Sequence, residues 1–196
     1  MITYTVRRRA AALITTVALG LGVSACGSGD DGGSDGHGGH GSSTSSEGAS
    51  ADVTFVQEMI PHHRQALEMA SLAPGRAGPE VTALAARISA AQDPEIATMT
   101  RWLKEHGEKV PSDDAHSEHS DADGMMSPED LEHLESLQGE AFDEEFLRQM
   151  ATHHEGAIMM AEDVLARGTD PEVAALAQQV SDGQRAEVDL MQDMLE

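Results

Sequence analysis

Two histidine pairs stand ninety-one positions apart in near-identical surroundings, FVQEMIPHHRQALEMA from Phe55 and FLRQMATHHEGAIMMA from Phe146. The copies match Phe55, Met59, His62, His63, Ala66, Met69 and Ala70 to Phe146, Met150, His153, His154, Ala157, Met160 and Ala161. Imidazole is a borderline metal ligand and thioether a soft one. A unit repeated with both types retained therefore points to metal chemistry.

The elements that must position these residues are helices. At 100° per residue, Met59, His63, Ala66 and Ala70 fall within about 60° of one another, with His62 and Met69 to one side. Arg64 and Glu68 project away, so each histidine pair belongs to the face that is buried. Asp52 can cap the first helix, and Pro61 is expected to kink it or release a carbonyl just before His62. The second copy has Thr152 at that point; its helix is predicted from about Asp143 to Arg167, with Gly168 as the stop.

A second periodic segment follows each copy, opened by Pro79-Glu80 and by Pro171-Glu172, where proline suits the first turn. Val81, Leu84, Ile88, Gln92, Glu95, Met99 and Trp102 match Val173, Leu176, Val180, Gln184, Glu187, Met191 and Met194 in steps of three and four. The middle of this stripe is polar. Buried carboxylates are costly unless paired or coordinated, so Glu95 and Glu187 need partners, and the histidine pairs on the facing helices are the candidates. Asp93-Pro94 is expected to bend the first of these helices, while Ser127-Pro128 opens a short helix to about Leu137. No segment alternates as a strand does. The predicted fold is all-α: a four-helix bundle of two duplicated hairpins, with a short extra helix before the third long one. Its first half spans 52–106, an acidic His/Met linker 107–127 and its second half 128–196.

Ahead of this domain, Arg7, Arg8 and Arg9 precede an apolar run from Ala10 to Ala25, the pattern of a secretory signal over 1–25. Cys26, the single cysteine, follows Val-Ser-Ala. This is similar to a bacterial lipobox and implies lipidation at Cys26, with the chain anchored at the outer face of the cytoplasmic membrane; an ordinary signal cleaved nearby is the alternative. From Gly27 to Ser50, 16 of 24 residues are Gly or Ser, so 26–50 is read as a flexible tether and the domain as 51–196. His37 and His40 lie within the tether. Without the three arginines, 9 of the 12 basic residues remain against 35 acidic ones, a net charge of −26. That charge disfavours nucleic acid as a partner and suits both cation capture and simple solubility. No protein partner is indicated.

The doubled M-x-x-H-H-x-x-A-hydrophobic-x-M-A pattern, followed each time by Q-x-x-E-hydrophobic-x-x-M, resembles domain-of-unknown-function family 305 over roughly Asp52 to Glu196. The resemblance implies a ferritin-like bundle in an exported protein, with copper binding and copper tolerance among family members. Carried onto this chain, it implies metal ligation by Met59, His62, His63, Met69, Met150, His153, His154 and Met160. Chemistry then separates the metals. A di-iron bundle places an inward Glu three residues before a His, whereas Met59 and Met150 occupy that slot here. Thioether with imidazole favours copper, and copper(I) above all. Glu95 and Glu187 are then expected to hydrogen-bond the imidazoles and fix their tautomers, with Met99 and Met191 as further candidates. A carboxylate bound directly to the ion would favour copper(II) or zinc.

Three functions remain open on these residues. The first is copper binding without catalysis; the second is a ferritin-like metal oxidase, which needs an open coordination position and carboxylate bridges that the sequence supplies poorly. The third is a non-metal interaction module, since methionine at helical spacing commonly fills cores and His–Glu pairs can be purely structural. His116, His119, Met125 and Met126 in the linker could collect copper or be merely solvated. Met159 should face outward.

Overall fold

Proline opens three of the five α-helices found among the described residues of the computed structural model, 43–112 and 124–196. The helices are α1 Ser43–Leu72, α2 Pro79–Glu105, α3 Pro128–Ser136, α4 Glu140–Arg167 and α5 Pro171–Leu195. Pro79, Pro128 and Pro171 stand in first turns, where the missing N–H has no intrahelical partner to lose. Asp170 caps α5 by accepting from Glu172 and Val173 N–H, and Ser127 with Asp130 forms a reciprocal capping box on α3. Gly139, at φ 61°, starts α4, and Gly168 ends it.

The four long helices form the bundle, and α3 packs on α4. Two apolar clusters fill its two ends. One holds Ala66, Met69, Ala70, Leu84, Ile88, Phe142, Phe146, Met150 and Met191; the other holds Phe55, Val56, Met59, Ile60, Met99, Trp102, Leu103, Ala161 and Val180. Each long helix runs from one cluster to the other, α1 and α5 in one direction, α2 and α4 in the opposite. A twofold repeat of hairpins therefore exchanges the clusters and leaves a polar layer between them. His62, His63, Gln92, Glu95, His153, His154, Ser181 and Gln184 are all buried in that layer.

Two local expectations change. Helix α1 begins at Ser43, inside the stretch expected as a tether. Gly48 is the reason on that face: it is buried, and a Cβ there would lie 2.3 Å from Thr169 Cγ2. Asp52 is not a helix cap. It sits within α1, and its Oδ2 accepts from the N–H groups of Thr169 and Asp170, both at 2.9 Å, in the turn of the other hairpin. Its counterpart Asp143, expected to begin α4, lies one turn inside that helix and does the same in reverse by accepting from Gly78 N–H. Each half thus braces the other's turn. Pro61 lies inside α1 and Pro94 inside α2, and each deprives the carbonyl four residues earlier of its helical donor, the release expected at Pro61.

The signal segment, Cys26, most of the tether with His37 and His40, and His116 and His119 of the linker all lie outside the described residues. Among the described residues no helix is long and apolar enough to cross a membrane.

Candidate metal centre

Adjacent residues on a helix point about 100° apart, so the two members of each histidine pair meet different neighbours. His62 on α1 and His153 on α4 face each other, with ring centroids 3.8 Å apart and planes tilted by 43°. His63 instead turns to α2, where its Nε2 lies 2.8 Å from Glu95 Oε2, and His154 turns to α5, its Nε2 2.8 Å from Glu187 Oε2. All four imidazoles are fully buried. The partnering of Glu95 and Glu187 expected from the stripes is what the structure contains.

A carboxylate on Nε2 fixes the neutral tautomer with the proton on that nitrogen and the lone pair on Nδ1. Nδ1 of His63 and Nδ1 of His154 are both buried without a hydrogen-bond partner. Neither ring nitrogen of His153 reaches a partner either. Burial, followed by repulsion from His62, His154 and His63, holds the His153 pKa well below the ordinary 6.5; an approach to the His62 backbone offsets this only in part. His153 is therefore neutral at physiological pH. Burial also works to raise the Glu95 carboxyl, but its hydrogen bond and charge interaction with His63, helped by Gln179 and His154, outweigh it and leave the pKa below 4.5. Gln92 and Gln184 add side-chain amides that are buried and unpartnered.

Buried polar atoms ordinarily find partners, so this concentration of free lone pairs in one layer is what a bound cation would satisfy. The donors fit a borderline or soft ion. Among the described residues no group of three or more His, Cys, Asp or Glu side chains is gathered as a metal cage, and the two layer glutamates are engaged by histidine.

The methionines divide by distance along the helices. Met59 lies three residues from His62 and Met150 three from His153, while Met99 and Met191 each lie four from a layer glutamate, all roughly 5 Å along the axis. Met59 and Met99 belong to one apolar cluster and Met150 and Met191 to the other, so a pair flanks the layer on each side. Met69 and Met160 are seven residues from His62 and His153, about 10 Å along the axis. Met99 and Met191 therefore lie nearer the layer along the helix axes than Met69 and Met160 do. Met160 is only partly buried, and with Met159, which is 50% exposed, it lines an outer groove. Met125 and Met126 are half-buried, and Met126 exchanges backbone hydrogen bonds with the Gln65 side chain rather than facing the layer. One residue was missed: Gln179 on α5, whose Nε2 donates to Glu95 Oε1 at 2.9 Å. It lies off the apolar stripe, and nothing in the repeat marks it.

The model of the family described as "Domain of unknown function (DUF305)" matches residues 52–195. A DUF305 fragment from Deinococcus radiodurans is similar in structure with a TM-score of 0.68 at 34% identity, covering 74% of this chain and 95% of that one. A Streptomyces coelicolor DUF305 protein described as secreted gives 0.67 at 30%, covering 74% and 91%. CopM in its Cu(I)-bound form gives 0.61 at 33%, covering 73% and 94%, and CopM has also been solved in Cu(II)-bound and Ag-bound forms. No curated protein matches this chain.

Proposed function

We propose that this chain, which belongs to the DUF305 family, binds copper in the polar layer of its bundle, with copper(I) the favoured state, and buffers, stores or hands on that metal outside the cytoplasmic membrane. The observation that carries the reading is the set of buried, unpartnered imidazole nitrogens on His63, His153 and His154. Related CopM structures hold Cu(I), Cu(II) and Ag, which supports a soft cation as cargo.

Each residue has a defined task in this reading. His62, His63, His153 and His154 offer the imidazole donors, and Met59 with Met99, or Met150 with Met191, offers thioethers from the flanking clusters. Soft neutral donors suit copper(I), whose single charge leaves less for a buried site to compensate than the double charge of copper(II). Glu95 and Glu187 hold the Nε2 protons of His63 and His154 and so aim the Nδ1 lone pairs inward, the carboxylate–histidine–metal arrangement that fixes a ligand's tautomer and raises its basicity. Met69 and Met160 extend the thioether path away from the centre. Export and a lipid anchor at Cys26 complete the proposal; a metal-handling domain on a tether would remain at the membrane surface.

The test is metal binding by the untagged mature protein, loaded separately with copper(I), copper(II), zinc and iron(II). Copper(I) should bind tightest, and silver(I) should compete for the same site. Sustained oxygen consumption on addition of iron(II) or copper(I) would instead support a metal oxidase. A protein that binds none of the four ions would leave the His–Glu pairs as structural ion pairs.

A further inference from the structure

The duplicated histidine–glutamate pairs are not equivalent in the folded chain. Glu95 is held on both sides: Oε2 by His63 Nε2 at 2.8 Å and Oε1 by Gln179 Nε2 at 2.9 Å, the latter reaching from α5 to α2. Glu187 contacts only His154 among the described residues, and its side chain is 20% exposed against 10% for Glu95. In the register that pairs Glu95 with Glu187, the counterpart of Gln179 is Arg87, which is exposed, and among the described residues Glu187 is hydrogen-bonded by His154 and not by Arg87. Gln179 and Glu95 both line a cleft of about 260 Å³ between α2 and α5, with Pro94, Thr98, Ala175 and Leu176.

We infer that Gln179 latches the first half of the layer, so that the two halves open at different rates and metal exchanges through the His154–Glu187 side. To expose an imidazole, its glutamate must swing outward. Glu187 can do so by giving up one hydrogen bond, which the metal-bound or solvated histidine can replace, whereas Glu95 must give up two. Gln179 touches neither metal nor imidazole; it is a positioning residue that acts through Glu95. The inference rests on the copper reading only for its consequence in metal exchange, because the difference in opening belongs to the metal-free protein.

The experiment is carbethoxylation of the metal-free protein with diethyl pyrocarbonate, followed residue by residue by fragmentation mass spectrometry. His154 should react about ten-fold faster than His63, the equivalent of one charge-assisted hydrogen bond at a partly exposed position. Gln179→Leu should bring His63 close to the rate of His154 and leave His154 unchanged. Gln179→Asn, one methylene too short to keep the bond, should do the same, which separates loss of the latch from the effect of an apolar side chain. Gln179 is exposed, so both variants should melt as the parent does. On copper(I)-loaded protein, transfer to a chromophoric chelator should show a slow phase that accelerates in both variants while the equilibrium affinity stays within about two-fold. Equal reactivity of His63 and His154 in the wild type, or variants that accelerate both residues alike or neither, would overturn the inference. Failure of the copper reading would show separately: a His62/His63/His153/His154→Ala protein would then bind copper as the wild type does, with the labelling asymmetry of the wild type still standing.

Discussion

Replacing His153 by leucine should make the metal-free protein more stable and a poorer copper binder. His153 is fully buried, and neither ring nitrogen has a hydrogen-bond partner. An unsatisfied buried polar group costs roughly 1–3 kcal/mol. Against this gain stands the lost contact with the His62 ring, worth roughly 0.5–1.5 kcal/mol by analogy with aromatic pairs. Leucine fills a comparable volume, so the net expectation is a gain of about 1 kcal/mol, or roughly 2–4 °C in Tm for a domain of this size. The pH dependence gives a second readout. The His153 pKa is depressed in the native state, so below the unfolded value of about 6.5 the unfolded chain takes up a proton that the native chain refuses. Stability from this residue is therefore complete above about pH 6.5 and is lost as pH falls toward the native pKa. Urea titrations of metal-free wild type and His153→Leu between pH 7.5 and 5 should show a slope in the first that is reduced in the second. Copper(I) affinity, measured by chelator competition, should fall at least ten-fold. A metal-free variant destabilised by more than about 1 kcal/mol, or one whose pH slope matches the wild type, would refute the reasoning.

Further acidification should reach Glu95. Its pKa lies below 4.5 in the native protein, so its contribution is present above that pH and lost as pH falls through the native value; Glu95→Gln should flatten the stability profile below pH 4.5 when the urea titrations are carried on into that acid range. Asp52→Ala removes the acceptor of two backbone N–H groups at a buried site and should cost about 2–3 kcal/mol of unfolding free energy. Asp143→Ala, at the opposite end of the bundle, should add to it nearly independently in the double variant. Gly168→Ala should also destabilise, because its Cβ would meet Asp52 Oδ1 at 2.3 Å and the Val164 carbonyl at 2.8 Å; a thermal melt unchanged within about 1 °C would contradict that packing.

The bundle was legible because its signals are periodic and stated twice. Steps of three and four locate α1, α2, α4 and α5, and the recurrence of Glu95 and Glu187 opposite the histidines predicts the pairs that form. What escaped depends on contacts between distant segments. Gly48 lies in a Gly/Ser run whose composition reads as tether, and its burial against Thr169 is a tertiary event. Asp52 has the look of a cap because aspartate suits helix starts; its real partners are 117 and 118 residues away. A face plot places Met69 and Met160 with the histidines but hides the two turns of axial distance that separate them from His62 and His153. Gln179 could not be found by repeat logic at all, since it is a place where the two halves differ.

The central claim is that copper is held by the histidine layer and not by the tether or the acidic linker. It is tested most directly by titrating untagged wild type and the His62/His63/His153/His154→Ala variant with copper(I) against a competing chelator, with circular dichroism to verify that helicity survives. The expected result is tight binding in the wild type and its collapse in a variant that remains helical. A helical variant that binds copper(I) as the wild type does would contradict the claim.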